Sequence, residues 1–313
     1  MGGAVEKVVG KVVGKKTRKV SRRTKIGIAV IAAWLAAGGI WYYMAGHWPE
    51  TVLDLGDEVK MRLVLIPPGK FMMGSPATEA GRIGGEGPQH EVTISKPFYM
   101  GVFEVTQEQY EQVMGVNPSR FKGAKNPVEQ VSWDDAIEFC RKLSARTGKK
   151  VMLPTEAQWE CACRAGTTTA FHTGDVLKPG QANAVFAQIS KPGVWDAIMA
   201  WVGMSSAQKA KTLQTTPAGS FPPNGFGLYD MHGNVWEWCS DWHADSYANL
   251  PAGQAGAKNQ DPAGPDSGTQ RVLRGGSWVN DPAYCRSAIR VGYYPVNGLH
   301  YGGFRVVVLS GVD

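Results

Sequence analysis

The chain has 313 residues, 43% of them hydrophobic, enough for one large or two ordinary domains around a real core. Its net charge of +6 is unevenly placed: residues 1–25 hold nine Lys/Arg and one acid, leaving 24 basic and 26 acidic groups in the rest. That slightly acidic remainder excludes nucleic-acid binding through a basic surface, and five cysteines are too few for a disulfide framework at this length.

The basic tail runs into an uncharged stretch, Ile26 to Met44, whose 19 residues approach the roughly 20 that span a bilayer. Trp41, Tyr42 and Tyr43 close it, as interfacial aromatics do. A buried core helix would not need a cationic block before it. A cleaved signal peptide is the rival, but the basic region is long and Met44-Ala45-Gly46 is a poor cleavage site. The expectation is a basic cytoplasmic tail (1–25), a transmembrane helix (26–45) and a linker (46–60). By the positive-inside rule the rest lies outside the cytoplasm, periplasmic or at the cell surface.

From residue 61 onward one folded domain is expected, to residue 313. Met61–Ile66 and Lys70–Gly74 are predicted strands joined as a hairpin by Pro67-Pro68-Gly69. His90–Ile94 and Phe98–Phe103 are predicted to form a second strand pair. Three helices have start signals: Thr106, Ser132 with Asp135, and Thr155 with Gln158. The second carries Ala136, Ile137, Phe139, Cys140 and Leu143 on one face and stops near Gly148. After Thr167 the chain is rich in Gly, Pro, Asn and aromatic residues with little periodicity, which predicts long loops and short strands. Trp195, Ile198, Met199 and Trp201 mark an additional apolar segment inside 185–219. Near the end, Val272-Leu273 and Val306–Leu309 read as strands bracketing a long ordered loop.

The most distinctive string runs from Phe221 to Trp242 and contains Asp230-Met-His-Gly-Asn-Val-Trp-Glu237. Together with Leu65–Gly69, Phe71–Gly74, Pro127–Ala136, Leu153–Glu160 and Arg274-Gly-Gly-Ser-Trp278, it closely resembles the formylglycine-generating enzyme (sulfatase-modifying factor) family over roughly residues 60–308. The resemblance implies an α+β fold of the C-type-lectin superfamily, irregular and loop-rich, often binding calcium. Asp230 and Glu237 bracket a Gly-Asn turn, so two carboxylates and loop carbonyls could converge on a hard cation; the alternative is that both accept loop amides. The resemblance places the ligands on Asp230, the carbonyls of Gly233 and Val235, and Glu237. A second family site would need an acid before Phe221, where only Asn183 offers an oxygen.

Family enzymes oxidise a substrate cysteine with oxygen and copper, using two cysteines six and eleven residues after the arginine of the Arg-Gly-Gly-Ser motif. Here those positions are Asn280 and Cys285. One thiolate beside an amide cannot form the linear Cu(I) site, so copper is not expected and the oxidase activity is expected to be absent. The alternative is an oxidoreductase or sulfatase-modifying enzyme with altered metal chemistry using Cys285. A related iron-dependent branch uses a His-rich site, whereas His47, His90, His172, His232, His243 and His300 are scattered without paired spacing.

Between the fixed pieces of the last stretch lie sixteen irregular positions from Val279 to Tyr301, rich in Tyr, Asn, Gly and Val. The residue at each of the sixteen is reachable from an Asn codon by changing only its adenines. That process cannot produce Lys, Glu, Gln, Met or Trp, and none occurs from Val279 to Asp313 although Met and Trp number 11 each in the chain. This resembles the variable region of diversity-generating retroelement target proteins, which use this fold to display a mutable binding surface. Tyrosines give contact area at low entropic cost while Asn and His adapt. The expectation is a non-catalytic, membrane-anchored display protein with a variable region at about 279–301. Asn280, Asp281, Tyr284, Tyr293, Tyr294, Asn297, His300 and Tyr301 are the expected contacts for a protein or glycan ligand.

Overall fold

The computed structural model describes residues 48–186, 214–249 and 259–309. The basic tail, the apolar segment 26–45 and the residues Trp195 to Trp201 lie outside them. Among the described residues no helix is long and apolar enough to cross a membrane.

In chain order the strands begin with β1 (Glu50–Asp54), β2 (Lys60–Ile66), β3 (Gly69–Met73), β4 (His90–Ile94) and β5 (Phe98–Gly101). Helices α1 (Gln107–Met114) and α2 (Trp133–Thr147) follow, then β6 (Val151–Met152) and α3 (Glu156–Arg164). The last third holds β7 (Trp236–Trp242), β8 (Arg271–Arg274), β9 (Arg290–Tyr293), β10 (Gly302–Gly303) and β11 (Val307–Leu309). One antiparallel sheet has the order β1-β2-β5-β11-β6, a second β10-β7-β8-β9, and β3-β4 form a separate ribbon. This is a mixed α+β architecture with short elements joined by long loops.

The expected strands are present, but their partners differ. β2 pairs with β5, and β3 with β4, so the two pairs are nested instead of sequential. Pro67 and Pro68 offer no N–H to a ladder, which ends β2 at Ile66 and lets β3 start a new ribbon. Residues 50–54, expected as linker, are an edge strand paired with β2 from Glu50 opposite Val64 to Asp54 opposite Lys60. The bracketed C-terminal segment is also not one loop, because β9 within it pairs with β8.

All three helix starts close capping boxes. Thr106 exchanges bonds with Gln109, Ser132 with Asp135 and Thr155 with Gln158. α2 buries Ala136, Phe139, Cys140 and Leu143 and ends at Gly148, whose φ of 69° suits glycine. Phe139 stacks on Tyr110 and meets Phe304 edge-on, joining α1 and α2 to the chain just before β11. Trp159 of α3 belongs to a second cluster with Ile66, Phe98, Met100 and Val272.

α3 is buried on most sides, including its charged residues. Glu160 pairs with Arg274 and, at 2.8 Å, with Arg164. Glu156 receives Arg290 through Nε at 2.7 Å and Nη2 at 2.9 Å. Burial opposes ionisation of Glu156, but Arg290 and Arg274 more than reverse this and hold its carboxyl below the usual range. Removing one partner of such a pair strands a buried charge. Glu160→Ala is therefore expected to lower the unfolding free energy by about 3–5 kcal/mol in urea titrations, while Glu138→Ala, at an exposed pair with Arg141 screened by solvent, leaves the unfolding midpoint essentially unchanged.

Asp241 at the end of β7 accepts the Glu156 N–H at 2.9 Å and the Ser240 hydroxyl at 3.0 Å. Burial, with Glu156 beside it, pushes its carboxyl up to about 7. The folded state thus keeps a proton on this group that the unfolded chain releases near pH 4, so its contribution to stability is lost as pH rises through 7. Asp241→Asn removes that loss. Its stability relative to the native protein is expected to rise by more than about 1 kcal/mol between pH 5 and pH 8, read from denaturation at each pH.

Candidate functional site

The C-terminal segment expected to vary hangs between β8 and β11 on buried anchors. After β8 the chain turns through Gly275 and Gly276, with φ of 94° and 75°. A Cβ on Gly276 would collide with the Tyr284 carbonyl oxygen and Cys285 Sγ, so only glycine fits there. Arg286 is forked onto Glu86 at 2.5 and 2.8 Å and reaches Glu79 at 2.6 Å. Arg274, Ser277, Cys285, Ser287, Ala288, Phe304 and Arg305 are all buried. Arg271, at the root of β8, lies between the rings of Trp133 and Trp242, 3.8 and 3.4 Å from their centroids.

The residues between these anchors face outward. Val279 is 43% exposed, Tyr284 44%, Tyr294 53% and Val296 71%, so four of the nine exposed large hydrophobic side chains among the described residues fall in this short window. Asp281, Asn297, Gly298 and His300 are exposed too, and Tyr293 and Tyr301 are half-buried. Two adenine-accessible positions depart from the pattern: Ile289 and Leu299 are buried in the core.

Several of these side chains form an aromatic ridge in two parts. Tyr294 and Tyr293 have centroids 6.5 Å apart, and Tyr293 leans on Trp238 at 6.4 Å. Tyr301 adjoins Tyr293; burial and that neighbour raise its phenol above the ordinary value. His300 meets Tyr301 edge-on at 4.6 Å and Trp278 at 6.2 Å, and Phe121 closes the row against Trp278 at 5.2 Å. Arg120 lies over Phe121 at 5.4 Å. Phe121 and Arg120 were not among the expected contacts. They come from the loop after α1, about 160 residues away in sequence, and nothing in their local sequence marks them.

Not every expected contact is free to meet a ligand. Asn280 is a fastener: its Oδ1 accepts the Trp236 indole N–H at 2.9 Å and the Ser277 hydroxyl at 2.6 Å, and its carbonyl accepts Val185 N–H at 2.7 Å. Asp281 caps the 3-10 turn Pro282–Cys285, accepting Ala283 N–H at 2.9 Å. Tyr284 projects from that turn, whose Ala283 adjoins Gly81 of the loop before β4.

Cys285 is fully buried, and burial, with Asp281 nearby, pushes its thiol up to about 12. A copper centre built on it does not fit, since the position expected to supply the second thiolate is the hydrogen-bonded Asn280. The fold does bring two scattered histidines together. His172 and His232 stack at 4.8 Å, and His232 donates through Nδ1 to the Cys285 carbonyl at 2.7 Å while its Nε2 accepts His172 N–H at 3.1 Å. Burial, with His172 adjacent, takes His232 down to about 3, so the pair is neutral and structural. Among the described residues no group of three or more His, Cys, Asp or Glu converges for a metal.

A smaller acidic site lies beneath the ridge. Asp230, Gly233 and Asn234 take positive φ (56°, 88° and 61°), curling the chain before β7. Asp230 Oδ2 accepts Gly219 N–H at 2.6 Å, while its buried Oδ1 has no hydrogen-bond partner among the described residues. Glu237 Oε2 accepts the Trp159 indole N–H and Arg305 Nε, and Oε1 accepts only Arg305 Nη2, at 2.7 Å. Glu104, missed in the sequence, is buried nearby and accepts Asn234 Nδ2 at 2.8 Å and Val235 N–H at 3.2 Å. Burial raises the Glu104 carboxyl well above the ordinary range, with Asp230 and Glu237 adding to the rise. Burial also pushes Asp230 up to about 6, against Gly219 and Arg305. Three buried carboxylates thus face one guanidinium. The orphaned Asp230 oxygen and the spare lone pair on Glu237 Oε1 fit a hard cation completed by backbone carbonyls. Asn183 ties in from the side, its Nδ2 donating to Asn234 Oδ1 and the Gln214 carbonyl.

Two layers of short strands, three capped helices and a long C-terminal loop held on buried arginines define an irregular C-type-lectin-type fold. The Sulfatase-modifying factor enzyme 1-like domain matches residues 56–309, and the chain belongs to that family. It is 31% identical to the formylglycine-generating enzyme of Streptomyces coelicolor, covering 84% of this chain and 95% of the enzyme. Among solved structures, PvdO from Pseudomonas aeruginosa superposes with a TM-score of 0.66 at 30% identity, covering 83% of this chain and 98% of PvdO. Treponema denticola variable protein 1 does so at 0.62 and 28% identity, over 83% of this chain and 99% of its own. The family therefore includes relatives with an enzyme's name and others without one. Titration with Cu(I) separates the two for this chain. No tight binding that depends on Cys285 is expected, and stoichiometric binding lost in Cys285→Ser would sink the non-catalytic reading.

Proposed function

We propose that this protein binds a ligand through its C-terminal segment and does not run the cysteine oxidation of its enzymatic relatives. The carrying observation is the division within residues 279–301. Large outward side chains sit at adenine-accessible positions, on a frame whose arginines, glycines and cysteine are buried. Tyr284, Tyr293, Tyr294, Asn297, His300 and Tyr301 are the contact set, with Asn280 and Asp281 shaping the loop beneath them. Phe121 and Arg120 extend the surface beyond the variable segment. The ligand is a protein or glycan surface: aromatic faces interleaved with Asn and His serve either, while the acidic balance of the domain disfavours nucleic acid.

Residues 26–45 anchor the chain in a membrane and present the domain outside the cytoplasm, where a variable surface meets external ligands. This rests on the apolar run and the charge asymmetry around it. Calcium, held by Asp230, Glu237 and the carbonyls of Gly233 and Val235, contributes rigidity under the loop and no chemistry.

The adenine pattern makes a genomic prediction. The DNA beside the coding sequence is expected to carry a near-copy of the segment encoding residues 279–301, differing only at adenines, next to a reverse transcriptase. Sequencing that neighbourhood and finding neither would remove the case for diversification and leave a fixed-specificity binder.

A further inference from the structure

The turn that offers the cation its carbonyls is also the turn from which the variable segment hangs. Asn234 stands at its centre. Its side chain donates to Glu104, its Oδ1 accepts Asn183 Nδ2 at 3.1 Å and Thr216 N–H at 3.0 Å, and its carbonyl accepts Trp278 N–H at 2.9 Å. Gly233 N–H reaches the Gly275 carbonyl at 2.8 Å. Trp236 N–H reaches the Tyr301 carbonyl at 2.8 Å while its indole holds Asn280 at 2.9 Å. Residues 233–236 therefore hydrogen-bond to both ends of the ligand-facing segment, at 275–280 and at 301.

Glu104 is the fixed point of this turn on the other side. It comes from the chain between β5 and α1, far in sequence from the loop, and it grips Asn234 and Val235 with one oxygen each. No arginine is forked onto it: Arg305 is bidentate on Glu237 and donates otherwise to the carbonyls of Gly101 and Tyr229. A divalent cation between Asp230 and Glu237, completed by the carbonyls of Gly233 and Val235, lies on the same turn that Glu104 grips through Asn234 Nδ2 and Val235 N–H.

We propose that Glu104 couples a divalent cation bound at Asp230 and Glu237 to the shape of the variable segment, by holding the Asn234 turn in the form that serves both. Glu104 is a positioning residue here and not a ligand. The proposal rests on the cation reading given above. It makes the binding surface calcium-dependent although no contact residue touches the ion, and by linkage a bound ligand tightens the cation in turn.

The test uses the full-length chain, calcium chloride as the probe, and two readouts: calorimetric titration for binding and amide hydrogen exchange for the loop. In the native protein calcium is expected to bind and to slow exchange of peptides spanning 277–284 and 299–303 roughly tenfold relative to EDTA, with α2 unchanged. Glu104→Gln, which turns an acceptor into a donor facing Asn234 or Val235, is expected to bind calcium roughly tenfold more weakly and to lose the loop protection at saturating calcium. Native-like exchange across α2 shows that a variant has folded, and Glu104→Asp, which keeps the charge but shortens the reach, is expected to bind calcium with reduced loop protection. Absence of calcium binding by the native protein overturns the cation reading and the coupling together. Calcium binding with unchanged loop exchange, or a Glu104→Gln variant that behaves as native, overturns the coupling alone.

Discussion

Two glutamates one turn apart on α3 organise much of this molecule. Glu160 takes Arg274 and Arg164, and Glu156 takes Arg290. Arg274 ends β8 and Arg290 opens β9, so a single helix fixes both strands from which the ligand-facing segment departs. A guanidinium fork sets direction as well as distance, which an aliphatic contact at the same place would not. The arrangement demands completeness, since each charge is tolerated in the interior only while its partner is present. It also explains why α3, short and buried on nearly every side, carries three charged residues, Glu156, Glu160 and Arg164.

How much of this was legible in the sequence depended on whether the signal was local. The three helices were readable because a capping signal spans four residues: the boxes at Ser132 and Thr155 close as expected, and Thr106, expected as a cap, closes one with Gln109 as well. Strand positions were readable from apolar runs. Strand partners were not, because pairing is decided by chain segments tens of residues away, and two prolines after Ile66 read equally well as a hairpin turn and as an exit from the sheet. The ion pairs were invisible for the same reason: nothing near Glu156 names Arg290. Glu104 and Phe121, each brought to the site from outside the motifs, show the same limit. The His172–His232 stack was hidden by a separation of sixty residues.

The site combines two demands that oppose each other. A surface that changes composition needs a frame insensitive to what it displays, and a well-packed interior is ordinarily sensitive to small changes in volume. Here the two are separated along the chain at intervals of a few residues. Exposed Tyr284 is followed by buried Cys285 and Arg286, and exposed Val296, Asn297 and Gly298 by buried Leu299. Main-chain hydrogen bonds hold the outward residues in place, such as Trp133 N–H to the Pro295 carbonyl and Gln130 N–H to the Leu299 carbonyl. Such bonds do not depend on the side chain displayed. Ile289 and Leu299 are the exceptions, and there the acceptable set narrows to apolar residues of similar size.

The position of β11 has a consequence for how the chain is made. This strand follows the variable segment, yet it lies in the interior of the five-stranded sheet, between β5 and β6. A chain that stops or shifts reading frame anywhere in 279–301 lacks it, which leaves β6 without a partner and one edge of β5 open, and it also lacks the Phe304 ring that joins the α1–α2 cluster. Such a product cannot close its core and is exposed to proteolysis. Folding itself thus acts as a proofreader, accepting only those chains whose residues 279–301 were translated through in the correct frame.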